Sequence, residues 1–495
     1  MQPSATRFLP IVTVPLLAGF VLLDASSVTA AETPRKPNVV FLLADNLGYG
    51  DLGFLGSKVH RTPRIDRMAA RGMTLRHFYS ASGVCTPSRA ALMTGCYPQR
   101  VGLANPRPDG LVLRPASPNG LHPDEVTIAE VLKKAGYATA CIGKWHLGDQ
   151  KPFLPTRQGF DRYFGIPYSE DMVQDKAKGW PPLPLMEHER VIEAPADRAT
   201  LTQRYTRRAL RFIEKNRDRP FFLYLPHAVP GSVRVPFASK AFRGKSANGP
   251  YGDSVEELDW STGAVLDTLR RLKLEKKTLV VFTSDNGTPR RRKGGGSNAP
   301  LGGSGYTTAE GGMRVPCVVC WPGQVPAGTT CDELTTMMDW LPTLAALAGE
   351  KLPRDRTIDG RDIRPLLASS QGFPKSLGTG ARTPHKAFYY YQQDQLQAVR
   401  SGRWKLYLSV KAPFRRMDAF TKARIGGLFD VQADPGEQRN LAAKHPEIVA
   451  RLAKHADAAR RELGDLNRAG TGQRPAGRVE KPVPARKTTT TGGTQ

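Results

Sequence analysis

Cysteine is scarce in this sequence, with six in 495 residues. So low a density excludes a small domain that depends on disulfide bridges. Cys317 and Cys320 have the spacing of half a zinc site, but their neighbours are apolar and no second Cys/His pair lies nearby. We therefore expect this pair in a buried strand rather than at a metal.

Long apolar runs are also missing, apart from one near the start, Phe8 to Leu23. This run follows Arg7 and precedes the small residues Val28-Thr29-Ala30, which is the pattern of a cleaved secretory signal. It is short for a transmembrane helix, and two prolines interrupt it. We predict a signal peptide over residues 1–30, no stable membrane span, and a mature protein that is secreted or periplasmic.

Acidic residues are few beside the basic ones, 45 against 72, which leaves a formal net charge of +27. So basic a chain suits an anionic substrate or surface. No nucleic-acid-binding motif accompanies the charge, and part of it lies in loops such as residues 290–293 and in the tail. We predict no nucleic-acid partner.

Two continuous apolar runs, Asn38 to Ala44 and Leu279 to Ser284, predict strands buried on both faces of a parallel sheet. An Asp-Asn pair follows each run at once: Asp45-Asn46 after the first and Asp285-Asn286 after the second. Open α/β sheets bind ligands at the carboxyl ends of their strands. One such pair is more often a turn, but two at matched strand ends predict a metal site, and hard oxygen donors suit Ca²⁺, or Mg²⁺.

A third candidate lies between Val84 and Gly95 (VCTPSRAALMTG), where a loop gives way to a helix that Gly95 ends. Arg89, one turn after Cys85, brings a guanidinium to the side of the sulfur. The unpaired amides of the first turn favour a bound oxyanion. A lone cysteine here would be buried core, so the prediction depends on the whole segment.

A strand over Tyr137 to Ile142 is followed by GKWHLG. Its alternate residues Lys144 and His146 project to one side if the segment is extended, which places a cation and an imidazole at another strand end. The run from Cys85 to Gly95, of the form Cys-x-Pro-Ser-Arg-x-x-x-x-Thr-Gly, resembles the sulfatase signature, and GKWHLG resembles the same family. The resemblance covers nearly everything from Lys36 to Leu441 and is nearest to arylsulfatase A-like members.

This resemblance implies a sulfuric ester hydrolase that cleaves an aryl or carbohydrate sulfate, including sulfated polysaccharides. In the family the cysteine is oxidised to formylglycine (3-oxoalanine) by a formylglycine-generating or anaerobic sulfatase-maturating enzyme, and the hydrate attacks sulfur. The roles it implies are Ca²⁺ binding for Asp45, Asn46, Cys85, Asp285 and Asn286; formylglycine for Cys85, steadied by Arg89; sulfate contact for Lys144 and Ser169; and proton acceptance for His146.

Three positions depart from the family pattern. Asn46 stands where the family has a second aspartate, so one negative charge is lost. Gly231 or Arg234 stands where a histidine protonates the leaving alcohol, and His227 is the only nearby imidazole, a substitute substrate-binding residue. Gly305 replaces a sulfate-binding lysine. Losing a positioned acid costs roughly 10²–10⁴-fold in rate. A substrate whose leaving group is an activated phenol tolerates this loss best, because its leaving oxygen needs less protonation. The alternatives are an impaired homologue that binds sulfated glycans, or a phosphoester or phosphonate hydrolase of the same superfamily.

Alternating strands and helices predict an α/β fold. The resemblance implies an alkaline-phosphatase-like sandwich, with a large mostly parallel central sheet flanked by helices. From about Lys386, short aromatic strands predict a small antiparallel sheet. We therefore divide the chain into a signal peptide (1–30), a catalytic α/β domain (31–385), a C-terminal α+β subdomain (386–465) and a disordered basic tail (466–495).

Overall fold

The computed structural model describes residues 1, 6, 8–11, 36–106, 108–232, 234, 236–289, 294–368, 381–410, 417–466 and 468–487. The signal peptide predicted for residues 1–30 lies almost wholly outside these ranges, and so does the basic run 290–293. Lys36–Gln495 forms one compact unit. Among the described residues, no helix combines the length and the apolarity needed to cross a bilayer.

Eighteen strands occur in the described residues. In chain order they are β1 (Asn38–Asp45), β2 (Met73–Leu75), β3 (Phe78–Tyr79), β4 (Asn119–Gly120), β5 (Ala138–Ile142), β6 (Arg162–Gly165), β7 (Leu185–Glu187), β8 (Arg190–Glu193), β9 (Phe221–Pro230), β10 (Thr278–Ser284), β11 (Cys317–Cys320), β12 (Thr329–Cys331), β13 (Thr335–Thr336), β14 (Phe388–Gln392), β15 (Gln395–Ser401), β16 (Trp404–Tyr407), β17 (Leu428–Asp430) and β18 (Gly477–Arg478).

Ten α-helices accompany these strands in the described part of the chain. They are α1 (Pro63–Ala70), α2 (Cys85–Thr94), α3 (Ile128–Lys134), α4 (Leu201–Lys215), α5 (Gly249–Arg271), α6 (Glu310–Met313), α7 (Trp340–Leu347), α8 (Arg364–Leu367), α9 (Ala419–Lys422) and α10 (Pro446–Leu463).

The central sheet has ten strands in the order β12-β2-β11-β10-β1-β9-β5-β6-β7-β8. Its middle, from β10 to β6, is parallel, and antiparallel pairs lie toward both edges. In β1 and β10, every residue is buried, as the apolar runs predicted. Ala44 lies opposite Ser284, so the Asp-Asn pairs that follow leave the sheet side by side.

Helices cover both faces of this sheet. Along β1, Val39, Phe41 and Leu43 face a core shared with α2, α3 and α7. The alternate residues, such as Val40 and Leu42, face a second core shared with α1, α4 and α5. This is the period-2 pattern of a strand buried on both sides. The predicted α/β class with a large, mostly parallel central sheet flanked by helices is confirmed.

A second, four-stranded antiparallel sheet, β14-β15-β16-β17, forms near the C-terminus, and α10 packs against it. This confirms the small sheet that the aromatic pattern predicted. Cys317 and Cys320 lie in β11 and are buried, as expected, and all six cysteines are free of disulfides.

The disordered tail predicted from residue 466 is wrong for residues 468–487. There β18 pairs with β4, and Arg474 donates to the buried carboxylate of Glu125 at 2.6 and 2.9 Å. Further along, the backbone N–H of Val483 donates to Gln150 Oε1. The polar composition of this segment predicted disorder, and the sequence did not reveal its partners, because each of them lies more than 300 positions away in the chain.

Candidate active site

Helix α2 begins at Cys85 and is buried along its whole length. Val84, before it, is extended, and Gly95 after it adopts the left-handed conformation (φ 66°), where its N–H donates to Ala91 O. A residue with a side chain is strained at this φ, so the glycine ends the helix as the sequence predicted. Cys85 is thus held on backbone embedded in the core.

Four charged side chains meet beside Cys85, and none of them is exposed to solvent: Asp45, Arg89, Lys144 and Asp285. Arg89 Nη2 lies 2.9 Å from Asp45 Oδ1 and 2.8 Å from Asp285 Oδ2. Lys144 Nζ lies 2.8 Å from the same Asp45 oxygen and 3.7 Å from Cys85 Sγ. The structure therefore brings these five residues of the sequence prediction to one point.

The ligand atoms of Asp45, Cys85 and Asp285 all lie within 4.8 Å of one another. Asn286 lies alongside, with its Nδ2 donating to Asn46 Oδ1 at 2.6 Å. Asn286 Oδ1 is buried and has no hydrogen-bond partner among the described residues. A buried carbonyl oxygen without a partner is costly unless a donor or a positive group binds it. These hard oxygen donors therefore fit Ca²⁺ or Mg²⁺.

The two aspartates differ in electrostatic environment although they share Arg89. Burial alone would raise the pKa of Asp45, but Lys144 and Arg89 outweigh it and hold that pKa well below its usual range. Burial and the nearby charge of Asp45 raise the pKa of Asp285. Two carboxylates this close repel each other when both are ionised, so a bound cation would stabilise the pair.

The thiol of Cys85 is a poor nucleophile in this setting. Burial, and then the negative charge of Asp45, raise the pKa of Cys85 well above its usual value. The thiolate is the reactive form of cysteine. Unmodified Cys85 would therefore remain a neutral thiol, and a soft sulfur ligand suits a hard cation badly.

Lys144 and Ser169 form a second set of contacts. Lys144 Nζ donates to Ser169 Oγ at 2.9 Å, and Ser169 Oγ donates to Glu170 Oε2 at 2.9 Å. Burial disfavours the ammonium, but Asp45 together with the other acidic groups around it outweighs burial, and the pKa of Lys144 rises well above its usual value. Lys144 is thus a fixed positive charge that Ser169 orients.

His146 lies next to this cluster in a left-handed backbone conformation (φ 61°) rather than in the extended segment that the sequence predicted. Its Nε2 lies 3.0 Å from Leu113 O. A carbonyl only accepts, so Nε2 carries the proton and Nδ1 keeps the lone pair. Burial, then Lys144 and Arg89, hold the pKa of His146 well below its usual value. Buried Nδ1 has no partner among the described residues, so it is available to accept a proton.

His227 does not join the cluster, which corrects its assignment to the substrate site. Its Nε2 lies 3.2 Å from Ser261 Oγ in α5, and its ring lies near Tyr205 in α4. Along β9 it has the parity of Leu223 and Leu225, which pack on the α4–α5 face. The imidazole therefore packs against α4 and α5, and its described contacts do not include Cys85.

The structure also shows the surroundings of two positions that depart from the family pattern. A Cβ at Gly305 would lie 2.1 Å from Gly287 O, so no lysine fits there on this backbone. Gly231 is at the cluster, with its N–H donating to Asp45 O at 2.9 Å, whereas Arg234 is exposed. Neither position supplies an acid beside Cys85.

Sequence reasoning missed three residues that line the site. They are Glu170, Ser232 and Tyr306, and they follow Ser169, Gly231 and Gly305 directly. Tyr306 donates to Ser232 Oγ at 3.3 Å, and Ser232 Oγ accepts from Asn46 Nδ2 at 2.9 Å. The only signal in the sequence was that each of them is adjacent to a motif position. Adjacency does not show whether a side chain points toward the site.

Comparisons with known proteins show which family this chain resembles over most of its length. The sulfatase family model matches residues 37–350, and the model of the C-terminal region of aryl-sulfatase matches residues 383–474. Arylsulfatase A of Homo sapiens is 39% identical over 84% of this chain and 86% of its own length. Steryl-sulfatase of Mus musculus is 36% identical over 90% and 85%. N-acetylgalactosamine-6-sulfatase of Mus musculus is 40% identical over 78% and 75%.

Solved structures show the same likeness. The PsFucS1 sulfatase from Pseudoalteromonas sp. superimposes with a TM-score of 0.73 at 27% identity, covering 86% of this chain and 90% of that one. A phosphonate monoester hydrolase from Silicibacter pomeroyi gives a TM-score of 0.58 at 19% identity over 86% and 95%, which shows a shared fold alone.

Proposed function

The chain belongs to the sulfatase family and hydrolyses sulfate esters, and we propose that it does so with formylglycine made from Cys85 and with Ca²⁺ bound beside it. Asp45, Asn46, Asp285 and Asn286 would hold the cation. The observation that carries the proposal is the placement of the Cys85 sulfur and the Asp45 and Asp285 oxygens within 4.8 Å of one another. The unpaired Asn286 oxygen supports it.

When bound, the formylglycine hydrate supplies a nucleophile for sulfur, and Ca²⁺ supplies positive charge for the sulfate oxygens. Lys144, a buried ammonium 3.7 Å from the residue-85 sulfur, binds a sulfate oxygen and offsets charge in the transition state. Ser169 binds the sulfate and orients Lys144. Arg89 holds both aspartates and steadies the group at residue 85. His146 accepts a proton at Nδ1 because Leu113 O fixes the proton on Nε2.

The leaving alcohol finds no imidazole at residue 231 and no lysine at residue 305. We therefore propose that the chain acts fastest on sulfates whose leaving oxygen needs little protonation, which means aryl sulfates. A carbohydrate sulfate is the second substrate class; the relative named N-acetylgalactosamine-6-sulfatase supports it. The basic chain, with a net charge of +27, suits a sulfated polysaccharide.

Maturation and export complete the proposal. Residues 1–30 would direct the chain out of the cytoplasm and be removed, and a formylglycine-generating or anaerobic sulfatase-maturating enzyme would oxidise Cys85. The N-terminal sequence of the exported protein tests the first step. Cleavage after Ala30 is expected, and an intact N-terminus on the exported protein would contradict it.

The test of function is to express the chain with and without a formylglycine-generating enzyme and to analyse the tryptic peptide that contains residue 85 by mass spectrometry. Turnover of an aryl sulfate, of sulfated polysaccharides and of an aryl phosphonate is measured on the same samples. We expect turnover of sulfate esters in proportion to the formylglycine content. Cys85→Ala abolishes it, and Cys331→Ala, a cysteine outside the site, does not.

Other outcomes would point to the alternatives. Unmodified Cys85 without turnover, together with binding of sulfated glycans, would indicate the impaired homologue. Faster turnover of the phosphonate than of any sulfate ester would indicate a phosphonate hydrolase. Either result would contradict the proposed chemistry.

A further inference from the structure

Glu170 is a buried acid that no motif singles out. Its side chain is fully buried, and both of its carboxylate oxygens are engaged by the site. Oε2 lies 3.4 Å from Lys144 Nζ and accepts from Ser169 Oγ at 2.9 Å. Oε1 accepts a hydrogen bond from the backbone N–H of Ser232. The carboxylate thus contacts two residues assigned to the sulfate, Lys144 and Ser169.

Lys144 lies between two carboxylates. Its Nζ is 2.8 Å from Asp45 Oδ1 and 3.4 Å from Glu170 Oε2. Without the carboxylate of Glu170, the ammonium of Lys144 would pair with Asp45 alone. Its partner there is Asp45 Oδ1, an oxygen that the proposed Ca²⁺ also needs. Glu170 therefore draws the positive charge away from the cation site and toward Ser169.

Glu170 also connects to Asn46 through Ser232. The backbone N–H of Ser232 is held by Glu170, and its Oγ accepts from Asn46 Nδ2 at 2.9 Å. With a neutral residue at position 46, the buried acids Asp45, Asp285 and Glu170 face the cations Arg89 and Lys144. The formal sum is one negative charge, and the third acid comes from position 170.

Gly231 makes room for this arrangement. A Cβ at residue 231 would lie 2.5 Å from Glu170 Oε1, and the residue is left-handed (φ 81°). A side chain at 231 and a carboxylate at this point therefore exclude each other. Asn46, Gly231 and Glu170 are therefore consistent with one another. Glu170 supplies the negative charge that Asn46 lacks, and its carboxylate occupies space that is open because residue 231 has no side chain.

We propose that Glu170 is a positioning residue of the sulfate site, which holds Lys144 toward the substrate and supplies the negative charge that Asn46 lacks. The inference rests on the proposed function, because it assigns Lys144 to the sulfate and the aspartates to a cation.

The test compares Glu170→Gln, Asn46→Asp, the double variant Asn46→Asp/Glu170→Gln and the control Asp171→Asn. The control removes a carboxylate from the exposed neighbour of Glu170. Each protein is made with the maturation enzyme, and its formylglycine content is measured. The readouts are kcat and KM for an aryl sulfate, the melting temperature, and calcium affinity from isothermal titration, which needs no turnover.

We expect Glu170→Gln to weaken calcium binding and kcat by about 10–100-fold, as for other residues that orient metal ligands. Its melting temperature should stay near that of the control. The double variant should recover most of both losses, because it restores one negative charge next to Asp45. Asp171→Asn should match the wild type.

Two results would overturn the inference: Glu170→Gln that matches the control in kcat and calcium affinity, or a double variant no better than Glu170→Gln. A wild type that binds no calcium would overturn it as well. A wild type that carries formylglycine and binds calcium but cleaves no sulfate ester would refute the proposed function, and the calcium titration would still decide the role of Glu170.

Discussion

At the scale of single residues, Arg89 organises the site. Its Nε and Nη2 donate to Asp285, its Nη2 also reaches Asp45, and its Nη1 donates to the carbonyl of Lys144. A planar guanidinium spans two carboxylates in a way that no other side chain can. Because Arg89 lies one turn after Cys85, it ties α2 to the ends of β1 and β10.

Arg89→Lys should therefore damage both stability and turnover. An ammonium cannot reach both aspartates, and one buried carboxylate is left without its partner, a loss that costs about 3–5 kcal/mol in folding free energy. Urea unfolding measures that loss, and sulfate ester hydrolysis should fall below detection. The matched control is Arg76→Lys. Arg76 pairs with Asp332 at the exposed surface, so this substitution should lower the free energy of unfolding by only about 0–1 kcal/mol. Equal losses in the two variants would contradict this account.

The cation site gives a second prediction at this scale. Calcium should raise the melting temperature of the wild type and EDTA should reverse the rise, since a ligand that binds only the folded state at 100 times its Kd adds about 2.7 kcal/mol. Asp285→Asn should abolish the calcium-dependent rise, because one of the two carboxylates near Cys85 is lost. Asp332→Asn, an exposed acid, should keep it. A rise of the same size in both variants would place the ion elsewhere.

At the scale of elements, a buried charge network joins the C-terminal sheet to α6. Lys405 of β16 lies 3.2 Å from Glu310 of α6 and 3.0 Å from Glu437. Tyr390 of β14 and Tyr407 of β16 donate to these carboxylates at 2.8 Å. Since α6 directly follows the glycine-rich segment at the site, the second sheet supports the loop that carries Tyr306.

Lys405→Met tests this support. The substitution removes the cation that contacts Glu437 and leaves Glu310 with Arg314 at 3.9 Å, so the free energy of unfolding should fall by about 3–5 kcal/mol. Thermal and urea unfolding measure the loss, and Lys454→Met on the exposed side of α10 is the control. A variant as stable as the control would show that the tyrosine hydroxyls and Arg314 satisfy the two acids without Lys405.

At the scale of the whole molecule, the polypeptide after α10 returns to β4 and the residues around it. β18 extends β4, Arg474 pairs with Glu125, and the N–H of Arg474 donates to Arg100 O at 2.7 Å. These contacts tie the C-terminal residues to the chain around β4 and Glu125, at a point distant in sequence from the charge network. The C-terminal residues therefore stabilise the fold although their composition is polar and basic.

Truncation after Leu466 should lower the melting temperature, because it removes this strand and leaves the buried carboxylate of Glu125 with fewer donors. Truncation after Lys487 retains every contact named here and should leave the melting temperature unchanged. Differential scanning calorimetry of the two shortened proteins measures the difference. Identical melting temperatures would show that residues 468–487 add nothing to stability.

The parts of the site that the sequence predicts are those carried by local patterns. Two apolar runs that end in Asp-Asn predict the paired strands β1 and β10, because a buried parallel strand leaves a continuous apolar signature. Gly95 predicts the end of α2 for the same local reason. The direction of a side chain is harder to predict from sequence. His146 has a left-handed φ and lies at the cluster, whereas His227 in β9 packs against Ser261. Both placements depend on the surrounding chain.

The sequence by itself determined the family, the α/β class and the residues around Cys85, because motifs and strand periodicity are properties of short segments. Only the tertiary structure decided that Glu170 reaches Ser232, 62 positions away, that Gly305 has no room for a side chain, and that residues 468–487 are ordered. These outcomes depend on distances between segments far apart in the chain, and no local pattern encodes such distances.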